Sequence, residues 1–275
     1  MSDPIDTKKA LRQMNLAHPF TVRSKMLQHH GEFDLEAEQA ALLRDIRVGT
    51  LDFLSLYHGC MQTAGPEPNT AVKFLARPLK ALMLLRCFER ALQLHPRAPF
   101  IECGVFRGFS ALLLARVARE RLGGFDGSAM FLLDSFEGLA APSDEDTVVM
   151  VDEAAGGLRM ASPPLGFSGT SSAHVAQVLG EFPEATICKG WIPAAFAQLP
   201  DERWSFVHVD VDLFQPTLRC LEYFHQRLLP GGIIVCDDYV TPFYPGAMLA
   251  WDEFCAQRGL HFLILDSGQA VLTRA

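Results

Sequence analysis

Short apolar runs alternating with amphipathic stretches organise the chain from residue 100 onward. The runs are Phe100–Cys103, Met130–Leu133, Ala185–Cys188, Phe206–Val209 and Gly232–Cys236. Their near-continuous hydrophobicity predicts strands covered on both faces, as in a parallel sheet. Between them, Ala111–Glu120 is built of strong helix formers. Thr217–Leu229 sets Leu218, Leu221, Phe224 and Leu228 in a helical pattern and is closed by Pro230-Gly231-Gly232. Near the C-terminus, His261–Leu265 and Ala270–Thr273 flank the polar Asp266-Ser267-Gly268-Gln269, which reads as a strand, a tight turn and a returning strand. The expected fold is a doubly wound, Rossmann-like α/β sheet, mostly parallel, with one antiparallel strand from this terminal hairpin.

The first hundred residues follow another pattern. Helices are expected over roughly Asp34–Tyr57 and Ala71–Leu94, separated by Gly65-Pro66-Glu67-Pro68-Asn69. Their apolar faces favour packing over exposure. Residues 1–74 are therefore expected to form an N-terminal helical appendage, serving as a lid or as a contact in a homo-oligomer, and residues 75–275 the main domain. His29-His30 are adjacent in a short polar segment and point in different directions, which argues against a metal site there. From Leu139 to Thr170 the chain is irregular, with Pro142, the acidic Ser143-Asp144-Glu145-Asp146, Gly156-Gly157 and Pro163-Pro164. A segment of this length is either a solvated insertion or a lid beside the second strand. In the second case Thr170-Ser171-Ser172 would cap the helix that runs through Val175 and Val178.

Composition sets the outer limits. A chain of 275 residues, 49% hydrophobic, has room for one large core and a modest appendage. Its formal charge of −8 and the lack of a Lys/Arg run argue against nucleic acid and favour a small or weakly charged substrate. The seven cysteines are scattered, mostly inside apolar runs and without a C-x-x-C pair, so they read as reduced core thiols. The Met1-Ser2-Asp3-Pro4 start lacks a hydrophobic signal region, and no run of about 18 apolar residues appears. The expectation is a cytoplasmic protein with no membrane partner.

Candidate chemistry gathers at the ends of the apolar runs. The first passes through Glu102 and then Gly104 and Gly108 before a helix opens near Ser110. The glycines let the backbone turn sharply and approach a ligand, while the free N–H groups of the new helix face the same crevice. Such a turn is also an ordinary packing device. Asp134 ends the second strand, where doubly wound folds hydrogen-bond ribose hydroxyls. Asp210 and Asp212 stand two residues apart at the fourth strand's tip, so an extended chain sends both to one face, about 7 Å apart. Asp237 and Asp238 end the neighbouring strand at the same edge. Four converging carboxylates repel one another unless a cation neutralises them, and oxygen ligands without His or Cys suit Mg²⁺.

The terminal hairpin separates two nucleotide-binding versions of the fold. Class I S-adenosylmethionine (SAM) methyltransferases end this way, whereas a dinucleotide dehydrogenase usually continues into a substrate domain. The missing G-x-G-x-x-G spacing also disfavours a nicotinamide enzyme. The segments Glu102–Gly108, Leu133–Leu139, Lys189-Gly190-Trp191 with Leu199-Pro200, Asp210–Thr217, Leu229–Tyr239, Pro245-Gly246 and Asp252-Glu253-Phe254 occur in a fixed order. Together they resemble the macrocin O-methyltransferase (TylF) family, metal-dependent SAM enzymes of macrolide and aminocoumarin sugar tailoring. The resemblance covers roughly residues 75–259. It departs at Phe106, where the family often has Trp, and at Phe214-Gln215-Pro216, where Tyr-Glu-Ser is frequent.

The resemblance implies that Glu102, Gly104, Val105, Arg107, Gly108 and Ser110 hold the methionine part of SAM. Asp134, Ser135 and Phe136 would hold the ribose and adenosine side, Asp210, Asp237 and Asp238 would ligate Mg²⁺, and Asp212 would be the general base. The implied partner is a small-molecule hydroxylated acceptor. A sugar of a glycosylated natural product comes first, with a phenolic or catechol-type hydroxyl or a cell-surface glycan behind it. A metal-dependent glycosyltransferase also uses an Asp-x-Asp pair but has no need of the Gly104/Gly108 turn or of Asp237-Asp238. A SAM-binding protein without catalysis would keep these motifs, although retention of all four acids argues against it.

Overall fold

The structure is a computed structural model and describes residues 43–65, 77–152, 157–163, 166–241 and 244–275. His29-His30 and the start of the first expected helix lie outside the described residues. The rest of that expectation is corrected. A tight hairpin of β1 (Arg47–Val48) and β2 (Leu51–Asp52) interrupts the chain, and α1 begins only at Phe53 and runs to Ala64. Two local features cause the break. Gly49 turns at φ +64, and the Asp52 carboxylate accepts the Ser55 N–H at 2.9 Å as the helix N-cap. The second helix, α2 (Arg77–Leu94), ends where expected.

The remaining strands and α-helices are β3 (Phe100–Cys103), α3 (Phe109–Leu122), β4 (Met130–Asp134), β5 (Val148–Asp152), β6 (Gly157–Ala161) and α4 (Ser172–Val178), followed by β7 (Thr186–Lys189), β8 (Trp204–Val209), α5 (Phe214–His225), β9 (Leu228–Cys236), α6 (Pro245–Arg258), β10 (Leu263–Ile264) and β11 (Ala270–Thr273). Seven strands form one sheet in the order β10-β11-β9-β8-β3-β4-β7. The central five are parallel and β11 is antiparallel to both neighbours, as the hairpin predicts. The strand order reverses between β3 and β8, which run parallel, and this makes their carboxyl ends the switch point of the sheet. The segment after Leu139 is less irregular than expected, because β5 and β6 pair as an antiparallel hairpin; its run Val148-Val149-Met150-Val151 is suited to a strand.

Alternate strand residues feed two cores. Phe100 and Phe206 face the side covered by α1, α2 and α3, where Phe88 packs edge-on against both rings. Ile101 and Val207 face the side of α5 and α6, with Trp204, Phe224 and Trp251. Each such fully buried side chain contributes about 1.5–3 kcal/mol. Phe53, Leu56 and Cys60 of α1 belong to the first of these cores, so this helix packs as part of the sheet's own covering layer. All seven cysteines are free thiols, and all but Cys87 are buried. Among the described residues no helix is long and apolar enough to cross a membrane.

Candidate active site

A cavity of about 460 Å³ opens at the carboxyl ends of β3, β4, β8 and β9. Its floor begins at Gly104, whose φ of +87 carries the chain sharply out of β3. A Cβ there would lie 1.8 Å from the carbonyl oxygen of Asp210, so only glycine permits this contact between the two strand ends. Asp134 braces the turn from the next strand. Its Oδ2 accepts the Val105 and Phe106 amides at 2.7 and 2.9 Å, and its Oδ1 accepts the Phe136 amide at 2.6 Å. Phe106 and Phe136 both have left-handed φ, +48 and +55. Such backbone costs about 1–3 kcal/mol per residue, and charge-assisted bonds of this kind offset it. A carboxylate has about four acceptor positions, and these amides take three of those of Asp134.

Gly108, at φ +82, precedes α3 with no side-chain cap, leaving the first amides of that helix open beside the cavity-lining Phe109 and Ser110. Arg107 also lines the cavity, but its Nε donates to the Ala64 carbonyl at 3.1 Å, and His174 Nε2 lies at the same distance from that oxygen. A cation at the C-terminal end of α1 is favourable for the helix dipole. Ser135 lies on the wall, where its hydroxyl donates to the Gly138 carbonyl at 3.0 Å. The Phe136 ring instead packs in the core. Glu102 lies below the floor rather than on it, fully buried and paired through Oε1 with His208 Nδ1 at 2.8 Å.

The acids converge, by a route the extended-strand argument does not describe. β8 stops at Val209; the Leu213 amide then bonds back to the Val211 carbonyl at 2.6 Å, and Asp212 adopts φ +60. This tight turn, rather than strand alternation, brings both Asp210 and Asp212 to the cavity. Asp210, Asp237 and Asp238 each present a carboxylate oxygen, and the three oxygens lie within 4.8 Å of one another. Asp212 stands beside this trio. Burial first, and then the charges of Asp237 and Asp238, push Asp210 well above the usual carboxylate range. Burial and Asp238 do the same to Asp212. Asp238 is raised by burial against the pull of Lys80, and its Oδ2 is buried without a hydrogen-bond partner.

Asp237 behaves oppositely. Burial works against its charge, yet Lys80 and His208 hold it far below the usual range. Lys80 Nζ donates at 2.8 Å to both Oδ2 and the backbone carbonyl of Asp237. Gln269 Nε2 donates to Oδ1 at 2.7 Å and is itself fixed by Ser267. His208 Nε2 lies 3.6 Å from the same oxygen, an ion-pair distance. Burial disfavours the imidazolium, but Asp237 and Glu102 together push His208 up to about 9.

The segment after Leu139 supplies another wall. Asp146 is buried and lines the cavity; its Oδ1 accepts the Phe214 amide at 2.7 Å, capping α5, while Oδ2 accepts Ser143 N and Oγ. A Cβ on Gly246 would lie 1.8 Å from that Oδ1 and 2.6 Å from Phe214 N, which accounts for the glycine in the first turn of α6. Gly246→Ala should therefore displace Asp146 and cost about 1–3 kcal/mol. Chemical denaturation checks the stability, and limited proteolysis near Asp144 checks the release of the segment; an unchanged midpoint and cleavage pattern would remove this junction from the account. Further along, Phe167 packs edge-on against Phe106 at 5.3 Å, and Thr170 Oγ1 donates to the Phe106 carbonyl at 2.5 Å.

The sequence reading assigns nothing to Lys80, His208, Gln269 or Asp146. One usable signal lay in β3 and β8. Glu102 and His208 each interrupt an apolar strand, and parallel pairing sets them opposite one another. Two polar residues buried in adjacent strands require partners.

The fold is that of class I methyltransferases. The solved O-methyltransferase NovP superposes with a TM-score of 0.58 at 15% identity, covering 87% of this chain and 99% of that one. The calicheamicin methyltransferase CalS11 gives 0.52 at 17% identity, with coverages of 80% and 91%. The macrocin-O-methyltransferase (TylF) family model matches residues 79–267, and the chain belongs to that family. Two curated relatives are similar in sequence. The 8-demethyl-8-(2,3-dimethoxy-α-L-rhamnosyl)-tetracenomycin-C 4'-O-methyltransferase of Streptomyces olivaceus is 26% identical over 160 residues, 56% of this chain and 57% of that protein. The mycinamicin III 3''-O-methyltransferase of Micromonospora griseorubida is 27% identical over 165 residues, 58% of this chain and 62% of that protein. The matched part thus spans less than two thirds of either relative.

Proposed function

We propose that this protein is a SAM- and Mg²⁺-dependent O-methyltransferase acting on a sugar hydroxyl of a glycosylated natural product. The observation that carries the reading is the acid trio, with Asp212 beside it, in the same cavity as the Gly104 turn and the open N-terminus of α3. Family membership and the sugar-tailoring names of the two relatives support the acceptor class.

The residues fit both groups. Three carboxylate oxygens within 4.8 Å and a buried Asp238 oxygen without a partner suit a hard divalent cation, held by Asp210, Asp237 and Asp238. The Gly104–Arg107 turn with Gly108 and Ser110 would take the methionine part of SAM, and Asp134 and Ser135 the ribose side. Glu102 and Phe136 act from behind, Glu102 through His208 and Phe136 through its amide on Asp134. When bound, Mg²⁺ supplies a lowered pKa at the acceptor hydroxyl and SAM supplies the methyl group. The chain's own part is to hold, align and deprotonate. Asp212 receives the hydroxyl proton on its carboxylate as attack proceeds. The floor at Gly104 and the wall at Phe106 and Phe167 would hold donor and acceptor against one another, and such alignment is worth about 7–11 kcal/mol of barrier.

An intact-mass screen of glycosylated acceptors with SAM tests this. The expected result is a gain of one methyl group that disappears on chelation and returns with Mg²⁺. Methylation that survives exhaustive chelation would exclude the metal, and transfer of a glycosyl group from a nucleotide sugar would replace the reading altogether.

A further inference from the structure

Lys80 neither accepts the acceptor proton nor offers a metal ligand, yet it reaches the acid cluster from α2. Its ammonium group spans the side chain and the backbone of a single residue, bonding Asp237 Oδ2 and the Asp237 carbonyl at 2.8 Å each. That grip fixes both the rotamer of Asp237 and the end of β9. Gln269 occupies the other carboxylate oxygen at 2.7 Å. Asp237 is thus fully oriented by the protein alone, whereas Asp238 keeps an oxygen without a hydrogen-bond partner. Lys80 itself lines the cavity, together with Leu79 and Ala81, so its side chain belongs to the site.

A fixed positive charge in that place has two opposed effects. It holds the cluster together against the mutual repulsion of its carboxylates, and it repels any divalent cation that shares Asp237. We propose that Lys80 is a positioning residue that sets Asp237 in ligand geometry and, through its fixed charge, weakens the cluster's hold on Mg²⁺. The inference rests on reading the cluster as a Mg²⁺ site. A lysine with a merely structural role would make metal affinity, turnover and stability fall together when lost. A counter-charge makes them separate.

The test uses the full chain with Lys80→Gln, which keeps a donor but no charge, and Lys80→Arg, which keeps the charge. Calorimetric titration with Mg²⁺ alone, melting with and without Mg²⁺, and kcat and KM for SAM are measured for each. Lys80→Gln should bind Mg²⁺ on the order of tenfold more tightly, melt lower without metal, and gain more from added Mg²⁺ than the wild type. Its kcat should fall while KM for SAM holds. Lys80→Arg should return Mg²⁺ affinity to the wild-type value. Unchanged or weaker Mg²⁺ binding in Lys80→Gln, or tighter binding in Lys80→Arg, overturns the proposal alone. A wild-type chain that binds no Mg²⁺ overturns the metal reading, and this inference with it.

Discussion

Gly104→Ala is expected to abolish SAM binding and to destabilise the fold by about 2–5 kcal/mol. Two terms make up that figure: overpacking against fixed backbone, about 1–3 kcal/mol, and a left-handed conformation on a residue with a Cβ, about 1–2 kcal/mol. The Asp210 carbonyl carbon and oxygen, 2.6 and 1.8 Å from the added atom, cannot swing away like a side-chain tip. They belong to the segment that carries the acid cluster, so Mg²⁺ affinity should drop along with SAM affinity. Gly123→Ala provides the control. Gly123 has φ +70 and nothing within 4 Å of the same added atom, so it should cost only the second term and leave both affinities intact. Urea denaturation with calorimetry on the two variants separates clash from strain. Gly104→Ala with a wild-type midpoint and normal SAM affinity would falsify the floor assigned here.

The sheet was legible because its central strands are apolar on both faces and its last two residue runs flank an obvious turn. Helix α6 was not legible, for the complementary reason. Met248, Ala250, Trp251, Phe254 and Cys255 are all buried, and a helix covered round most of its circumference shows no polar stripe. The break at Gly49 was hidden by an amphipathic pattern that continues across it, and the end of α5 was overrun because Leu228, which fits the helical spacing, is the first residue of β9. Within the site, the strand-tip acids announce themselves as pairs. Their partners do not, because Gln269 meets Asp237 only when β11 lies beside β9, and Lys80 only when α2 packs over that strand. Such contacts are properties of the sheet order, which no local window contains. Asp134 shows the same limit from another side. Its position at the tip of β4 is readable, but its work in bracing two left-handed phenylalanines depends on the paths of both neighbouring turns.

Asp212→Asn should lower kcat by about 10²–10⁴ while SAM and Mg²⁺ affinities stay near those of the wild type. The substitution is a clean one for this position. Asn, like Asp, tolerates the left-handed backbone that Asp212 adopts at φ +60, so the tight turn after β8 survives and the side chain keeps its size. What disappears is a proton acceptor. Asp212 lies outside the trio of oxygens within 4.8 Å, and its removal takes no ligand from a cation. Asp210→Ala and Asp237→Ala remove such a ligand, and should lose Mg²⁺ affinity and activity together, with partial recovery at high Mg²⁺ by mass action. Single-turnover methyl transfer at saturating SAM, paired with Mg²⁺ titrations, distinguishes the two kinds of loss. If Asp212→Asn lost Mg²⁺ binding and Asp210→Asn kept it without turnover, the two roles would be exchanged. If neither slowed methyl transfer, the segment after β8 would have no part in the chemistry, since a metal-assisted deprotonation needs both its ligand and its base.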